Sequence, residues 1–112
     1  MVRGVKLTSL VVGCVLAMSA APPAYADEND NAYLYGIKNV GVPDGSLAAS
    51  PAYGRQLCER LPVVGFDPLV AAVSQENSAS GLNMHLSALV IGAAVSNFCL
   101  EKANVLPTTL PY

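Results

Sequence analysis

The segment Leu82-Asn83-Met84-His85-Leu86-Ser87-Ala88-Leu89-Val90-Ile91-Gly92-Ala93-Ala94-Val95-Ser96-Asn97-Phe98-Cys99-Leu100 decides the fold. At about 100° per residue, Asn83, Ser87, Asn97 and Glu101 fall on one narrow line, and nearly every other position is apolar or small. A helix with that pattern is wet along one edge and covered elsewhere. It is expected at the centre of a bundle, packed against all the other helices, with a stretch open to a partner or ligand as the lesser reading. Asn97 interrupts its apolar run, which leaves it too short for a membrane span of about 20 residues.

Upstream, apolar residues recur at helical spacing between strong punctuation, and strand signals are scarce. A first helix is expected from about Asn31 to Val40, with Asp30 as N-cap, Tyr33, Leu34, Ile37 and Val40 on one face, and Gly41 at its end. Gly36 inside it costs about 1 kcal/mol relative to alanine. Val42-Pro43-Asp44-Gly45-Ser46 has turn chemistry. Ser50-Pro51 starts a second helix, with Tyr53, Leu57 and Leu61 sharing a face and Pro62 stopping it. Asp67-Pro68 starts a short third helix with Leu69, Val70 and Val73 inward, followed by a polar loop over Gln75 to Gly81. Residues 103–112 contain two prolines and no periodicity, so they read as an extended or mobile tail. The fold class is therefore all-α, a small bundle of about four helices.

Ahead of these helices lies a different kind of sequence. Arg3 and Lys6 precede the apolar run Leu7 to Ala21, and Ala24-Tyr25-Ala26 is a small-x-small cleavage site before Asp27. Residues 1–26 therefore read as an export signal cleaved between Ala26 and Asp27, which places the mature protein outside the cytoplasm, secreted or in the cell envelope. Val11-Val12-Gly13-Cys14 resembles a lipobox, but the apolar run continues past Cys14, which favours ordinary cleavage over acylation at Cys14. The run is too short for a permanent span.

Cleavage leaves 86 residues, a single domain over 27–102 and the tail, with four basic residues against eight acidic ones. A net charge of −4 without a basic patch argues against nucleic acid and anionic membrane partners. Cys58 and Cys99 are the two cysteines that remain, and in an oxidising compartment they are expected to form a disulfide joining helix two to the end of the last helix. A Cys-x-x-Cys arrangement, which redox work prefers, is not present.

The order of an exported chain, an aromatic and leucine helix ending in Gly41-Val42, then Gly54-Arg55-Gln56-Leu57-Cys58, then an alanine-rich last helix closing on Phe98-Cys99, resembles the small secreted mycobacterial family called domain of unknown function 732. The resemblance covers about residues 32–99. It implies a compact helical domain with Cys58 paired to Cys99, and no activity. Leu100 stands where the family commonly has proline, and the tail is longer.

Candidate sites are few. His85, the single histidine, could ligate haem or a metal with Tyr33, Tyr35 or Tyr53; otherwise it is a partly exposed residue hydrogen-bonded to a neighbour. Gly92 and Ser96, on the same side, suggest close approach of another helix. There is no Gly-x-Ser-x-Gly elbow and no glycine-rich phosphate loop, and nothing local joins Glu59 to Asp67 or Glu76 to Glu101. Arg55 and Arg60 read as solvent-facing ion pairs. The sequence thus points to a protein that is not an enzyme and needs no cofactor, a binding or structural module that meets a protein partner or an apolar ligand, with haem or metal carriage through His85 and a tyrosine as the alternative.

Overall fold

The computed structural model describes residues 23–112, with side chains from 28 onward; most of the expected export signal, and Cys14, lie outside the described residues. The described residues form four α-helices: α1 Pro23–Asn39, α2 Pro51–Val64, α3 Phe66–Glu76 and α4 Met84–Phe98. Short 3₁₀ helices at Leu47–Ala49, Ser78–Ser80 and Leu100–Val105 connect or extend them. Strands are absent among the described residues, and no helix there is long and apolar enough to cross a membrane.

α1 begins earlier than its apolar pattern suggests. It runs through the expected cleavage point at Ala26 and Asp27, and Asp30 caps nothing: its carboxylate pairs with Arg55 of α2. Its end follows from Gly41, whose φ of 102° turns the chain left-handed. The N–H groups of Val42 and Gly41 then return to the carbonyls of Ile37 and Lys38 at 3.0 and 3.1 Å, a Schellman closure. That closure puts Val42 into the core beside Tyr33 and Ile37, while Val40, expected inward, is exposed.

α2 starts at Pro51 after the extended Ser50, but Pro62 does not stop it. The helix carries Pro62 in its last turn and ends at Gly65, whose φ of 93° lets its N–H close on the Leu61 carbonyl at 2.9 Å. Gly65 also precedes Phe66 as the N-cap of α3, so two helices meet at one glycine. Leu69, Val70 and Val73 of α3 are fully buried, as their spacing predicts.

α4 is the central helix and packs on α1, α2 and α3. Asn83 caps it, its Oδ1 accepting from the Leu86 N–H at 2.8 Å. Of the expected wet line, Asn83 and Glu101 are exposed and Asn97 is half-buried, and Ser87 alone departs from it. Ser87 is fully buried because its hydroxyl donates to the Asn83 carbonyl at 2.8 Å and so needs no water. His85 and Ser96 are exposed as well, and a Cβ on Gly92 would meet nothing within 4 Å among the described residues, so no described helix makes the close approach expected there.

Gly54 is the glycine that packing requires. A Cβ there would lie 2.9 Å from atoms of both the Tyr33 and Phe98 rings, which themselves pack with centroids 5.3 Å apart. Gly54→Ala is expected to cost about 1–2 kcal/mol, because overpacking outweighs the gain in helix propensity. Gly36→Ala, in open space on α1, should stabilise by about 1 kcal/mol. Urea titration of the pair checks the contrast; shifts of the same sign would contradict it.

Candidate functional site

Polar side chains gather in three places, and the first is in the interior. Ala48, fully buried in the first 3₁₀ turn, has both backbone groups held by side chains from distant elements. Its N–H donates to Asn77 Oδ1 at 2.8 Å, and its carbonyl accepts from the Tyr33 hydroxyl at 2.7 Å. Asn77, 2% exposed, also donates from Nδ2 to the Val73 carbonyl at 2.9 Å and to the Tyr53 hydroxyl at 3.2 Å. Tyr53 in turn donates to Glu76 at 2.5 Å, and Arg60 grips both Glu76 oxygens at 3.0 and 2.8 Å. One connected chain of polar groups therefore ties α1, the 3₁₀ turn, α2 and α3.

The chemistry of that chain is structural. Hydrogen bonding from Arg60 holds the Glu76 carboxyl below its usual range. Burial, then donation to Glu76, pushes the Tyr53 hydroxyl up to about 12, and burial raises Tyr33 further. The folded chain keeps both phenolic protons above the pH near 10 where an unfolded tyrosine loses its own. Stability from these groups is thus complete below about pH 10 and is lost as pH climbs toward 12. The urea midpoint should fall between about pH 8 and pH 11, and less in Tyr33→Phe; equal falls in both proteins would refute this assignment.

The second place surrounds the disulfide. Cys58 and Cys99 are bonded, with Cα atoms 6.0 Å apart, linking α2 to the end of α4. Pro62 has no N–H to give the Cys58 carbonyl, its helical partner four residues back. Lys102 Nζ takes that role from the last 3₁₀ helix at 2.8 Å. Arg55, paired with Asp30, lies 4.8 Å over the Phe98 ring. An open cleft of about 370 Å³ runs past these groups, with Glu59 and Glu101 on its walls. A second cleft, about 290 Å³, has Ile37 and Val42 beside Lys38 and Asp44. Lys102→Met should cost about 1 kcal/mol by orphaning the Cys58 carbonyl. Lys38→Met is the control, and equal urea midpoints for the two variants would show that the carbonyl finds another donor.

His85 marks the third place. It is exposed, and its Nδ1 faces the Tyr112 main-chain oxygen at 3.0 Å. Tyr33 packs on Phe98, at the opposite end of α4, and the hydroxyls of Tyr33 and Tyr53 are engaged within the polar chain. Tyr35 is exposed on α1. The structure therefore does not bring His85 together with Tyr33. Among the described residues, no group of three or more His, Cys, Asp or Glu is placed to hold a metal ion. The considered carboxylate pairs take other partners: Glu76 binds Arg60, and Asp67 accepts from the Tyr112 hydroxyl at 2.8 Å. Arg55 and Arg60 form the ion pairs expected of them. Asn77 and Lys102 were not legible as site residues, because each acts on a backbone group far along the chain.

Fold and site together define a small all-helical domain stapled by one disulfide. The chain is 31% identical over 106 residues to the uncharacterised protein Rv0559c of Mycobacterium tuberculosis strain H37Rv, covering 93% of this chain and 94% of that protein. The uncharacterised protein MT0585 of strain CDC 1551 matches to the same extent. The chain belongs to the family of these mycobacterial proteins. No family model and no solved structure matches it, so the resemblance to domain of unknown function 732 is supported only in its coarser part, a mycobacterial family of uncharacterised proteins.

Proposed function

We propose that this is an exported, non-catalytic domain that acts by binding a protein partner, with the disulfide and the buried polar chain holding its surface in shape. The observation that carries the reading is how the reactive residue types are used. The two described thiols are joined, the Tyr33 and Tyr53 hydroxyls hold Ala48 and Asn77, and Glu76 is gripped by Arg60 and Tyr53. Each serves architecture, and among the described residues none of them is left as an activated nucleophile or base in the interior. Interior apolar positions are filled by side chains from all four helices, and the two clefts are open with charged residues on their walls. Such clefts suit contact with another surface better than enclosure of an apolar ligand, which calls for an apolar cavity. The leader pattern ending at Ala26 supports export.

A native mass spectrum of the protein purified from its own exporting host tests this reading. The expected species begins at Asp27 and carries no small molecule. Retained haem, metal or lipid would make the protein a carrier and overturn the proposal.

A further inference from the structure

We infer that Thr108 and Thr109 form an O-glycosylation site whose hydroxyls take a hexose from an activated sugar phosphate, a modification that goes beyond the binding reading and rests on its premise of export. Beyond residue 26 the sequence holds two threonines and seven serines, and the two threonines stand side by side in Pro107-Thr108-Thr109-Leu110-Pro111. Hydroxyl residues bracketed by prolines are the composition of O-glycosylated segments. The pattern alone is short, and the fold separates these two hydroxyls from the seven of the serines. Ser46, Ser74, Ser87 and Ser96 donate to main-chain carbonyls at 2.8 to 3.0 Å. Ser78 and Ser80 lie within a 3₁₀ helix. Ser50 joins two helices, its N–H bonded to the Leu47 carbonyl and its own carbonyl accepting from Tyr53 and Gly54.

Thr108 and Thr109 are exposed and lie in bends outside every helix. Among the described residues, neither their hydroxyls nor their main-chain groups have a hydrogen-bond partner. The prolines keep the segment in that state. Pro107 and Pro111 have no N–H and draw Leu106 and Leu110 away from helical backbone, and Leu106 is extended at φ −83° and ψ 148°. The side chains of Leu106 and Leu110 pack against the core, and the Tyr112 hydroxyl donates to Asp67 at 2.8 Å. A transferase thus meets two free hydroxyls on a backbone it can approach without opening a helix, and a sugar there displaces no core contact. In the transfer, threonine Oγ1 attacks the anomeric carbon of the sugar phosphate. The bond from Oγ1 to that carbon forms as the bond from carbon to the phosphate oxygen breaks. The phosphate leaves with the bonding pair, and the hydroxyl proton passes to a base of the host's transferase, so nothing is oxidised or reduced.

The intact mass and the fragmentation spectrum of the full chain, purified from its own exporting host, test the site. The expected wild-type species begins at Asp27 and carries at least one hexose, placed by fragmentation on Thr108 or Thr109. The double change Thr108→Val and Thr109→Val should abolish the hexose increment and keep native helicity, because both side chains are exposed. Ser78→Ala removes an exposed hydroxyl held in a helix and should leave the increment in place. A wild-type chain beginning at Asp27 without sugar would overturn the inference and leave the export reading standing. A hexose that survives the double threonine change, or that is lost in Ser78→Ala, would put the site elsewhere and overturn it as well. A sugar-free chain that retains residues 1–26 would overturn both readings, whereas hexose on Thr108 or Thr109 of that longer chain would uphold this one alone.

Discussion

Replacing both Cys58 and Cys99 by alanine is expected to lower stability by about 4 kcal/mol, the largest effect of any change considered. The bond closes a loop across a sequence separation of 41, and on the chain-entropy account most of its value lies in restricting the unfolded chain. Once the proposed leader is removed, the chain of about 86 residues commands only about 4–13 kcal/mol in total. The loss is felt in the folded state too, because the bond holds the last 3₁₀ helix where Lys102 reaches the Cys58 carbonyl. Without it, the segment 106–112 that follows loses its fixed origin. A fall in melting temperature of about 15–30 °C should follow, both in the double variant and in wild type under reducing agent. Thermal unfolding followed by circular dichroism reads it, and a melting temperature insensitive to reduction would show that the bundle stands without its staple.

Asn77→Leu is the second large effect, at about 3 kcal/mol. Leucine matches asparagine closely enough in size to avoid a large cavity, so the cost isolates the hydrogen bonds. The Ala48 N–H loses its acceptor in a fully buried place, which alone costs about 1–3 kcal/mol. The Val73 carbonyl and the Tyr53 hydroxyl each lose a donor as well. Tyr33→Phe removes the other grip on Ala48, so the two changes should couple by about 0.5 kcal/mol or more in a double-mutant cycle. Urea unfolding of the four proteins measures both quantities. A loss below about 1 kcal/mol for Asn77→Leu would mean that water or a shifted backbone satisfies Ala48.

Asn77 also shows where sequence reasoning stops. It sits in a stretch that reads as a polar loop, and nothing near it in the chain signals burial; besides the Val73 carbonyl, its partners are backbone and side-chain groups 29 and 24 residues away. Ser87 misled the reading of α4 for a related reason, since a serine that bonds its own helix four residues back can face the core. Pro62 reads as a stop, yet a proline costs a helix one hydrogen bond, and Lys102 supplies the missing donor to Cys58 from 44 residues away. What could be read from the sequence was local or forced. The inward positions of α3 follow from spacing, the end at Gly41 from glycine's tolerance of positive φ, and the Cys58 to Cys99 pair from there being two cysteines after the expected leader. The contacts of the C-terminal segment were illegible because Leu106, Leu110 and Tyr112 have no periodicity of their own and find their places only on a formed bundle.

The account turns on an exported chain whose two remaining thiols are spent on its fold. The most direct measurement is the intact mass of the protein from its own exporting host after alkylation under denaturing, non-reducing conditions. The account predicts an unalkylated chain that takes up two alkyl groups only after reduction. Two groups taken up without reduction would place Cys58 and Cys99 as free thiols and contradict it.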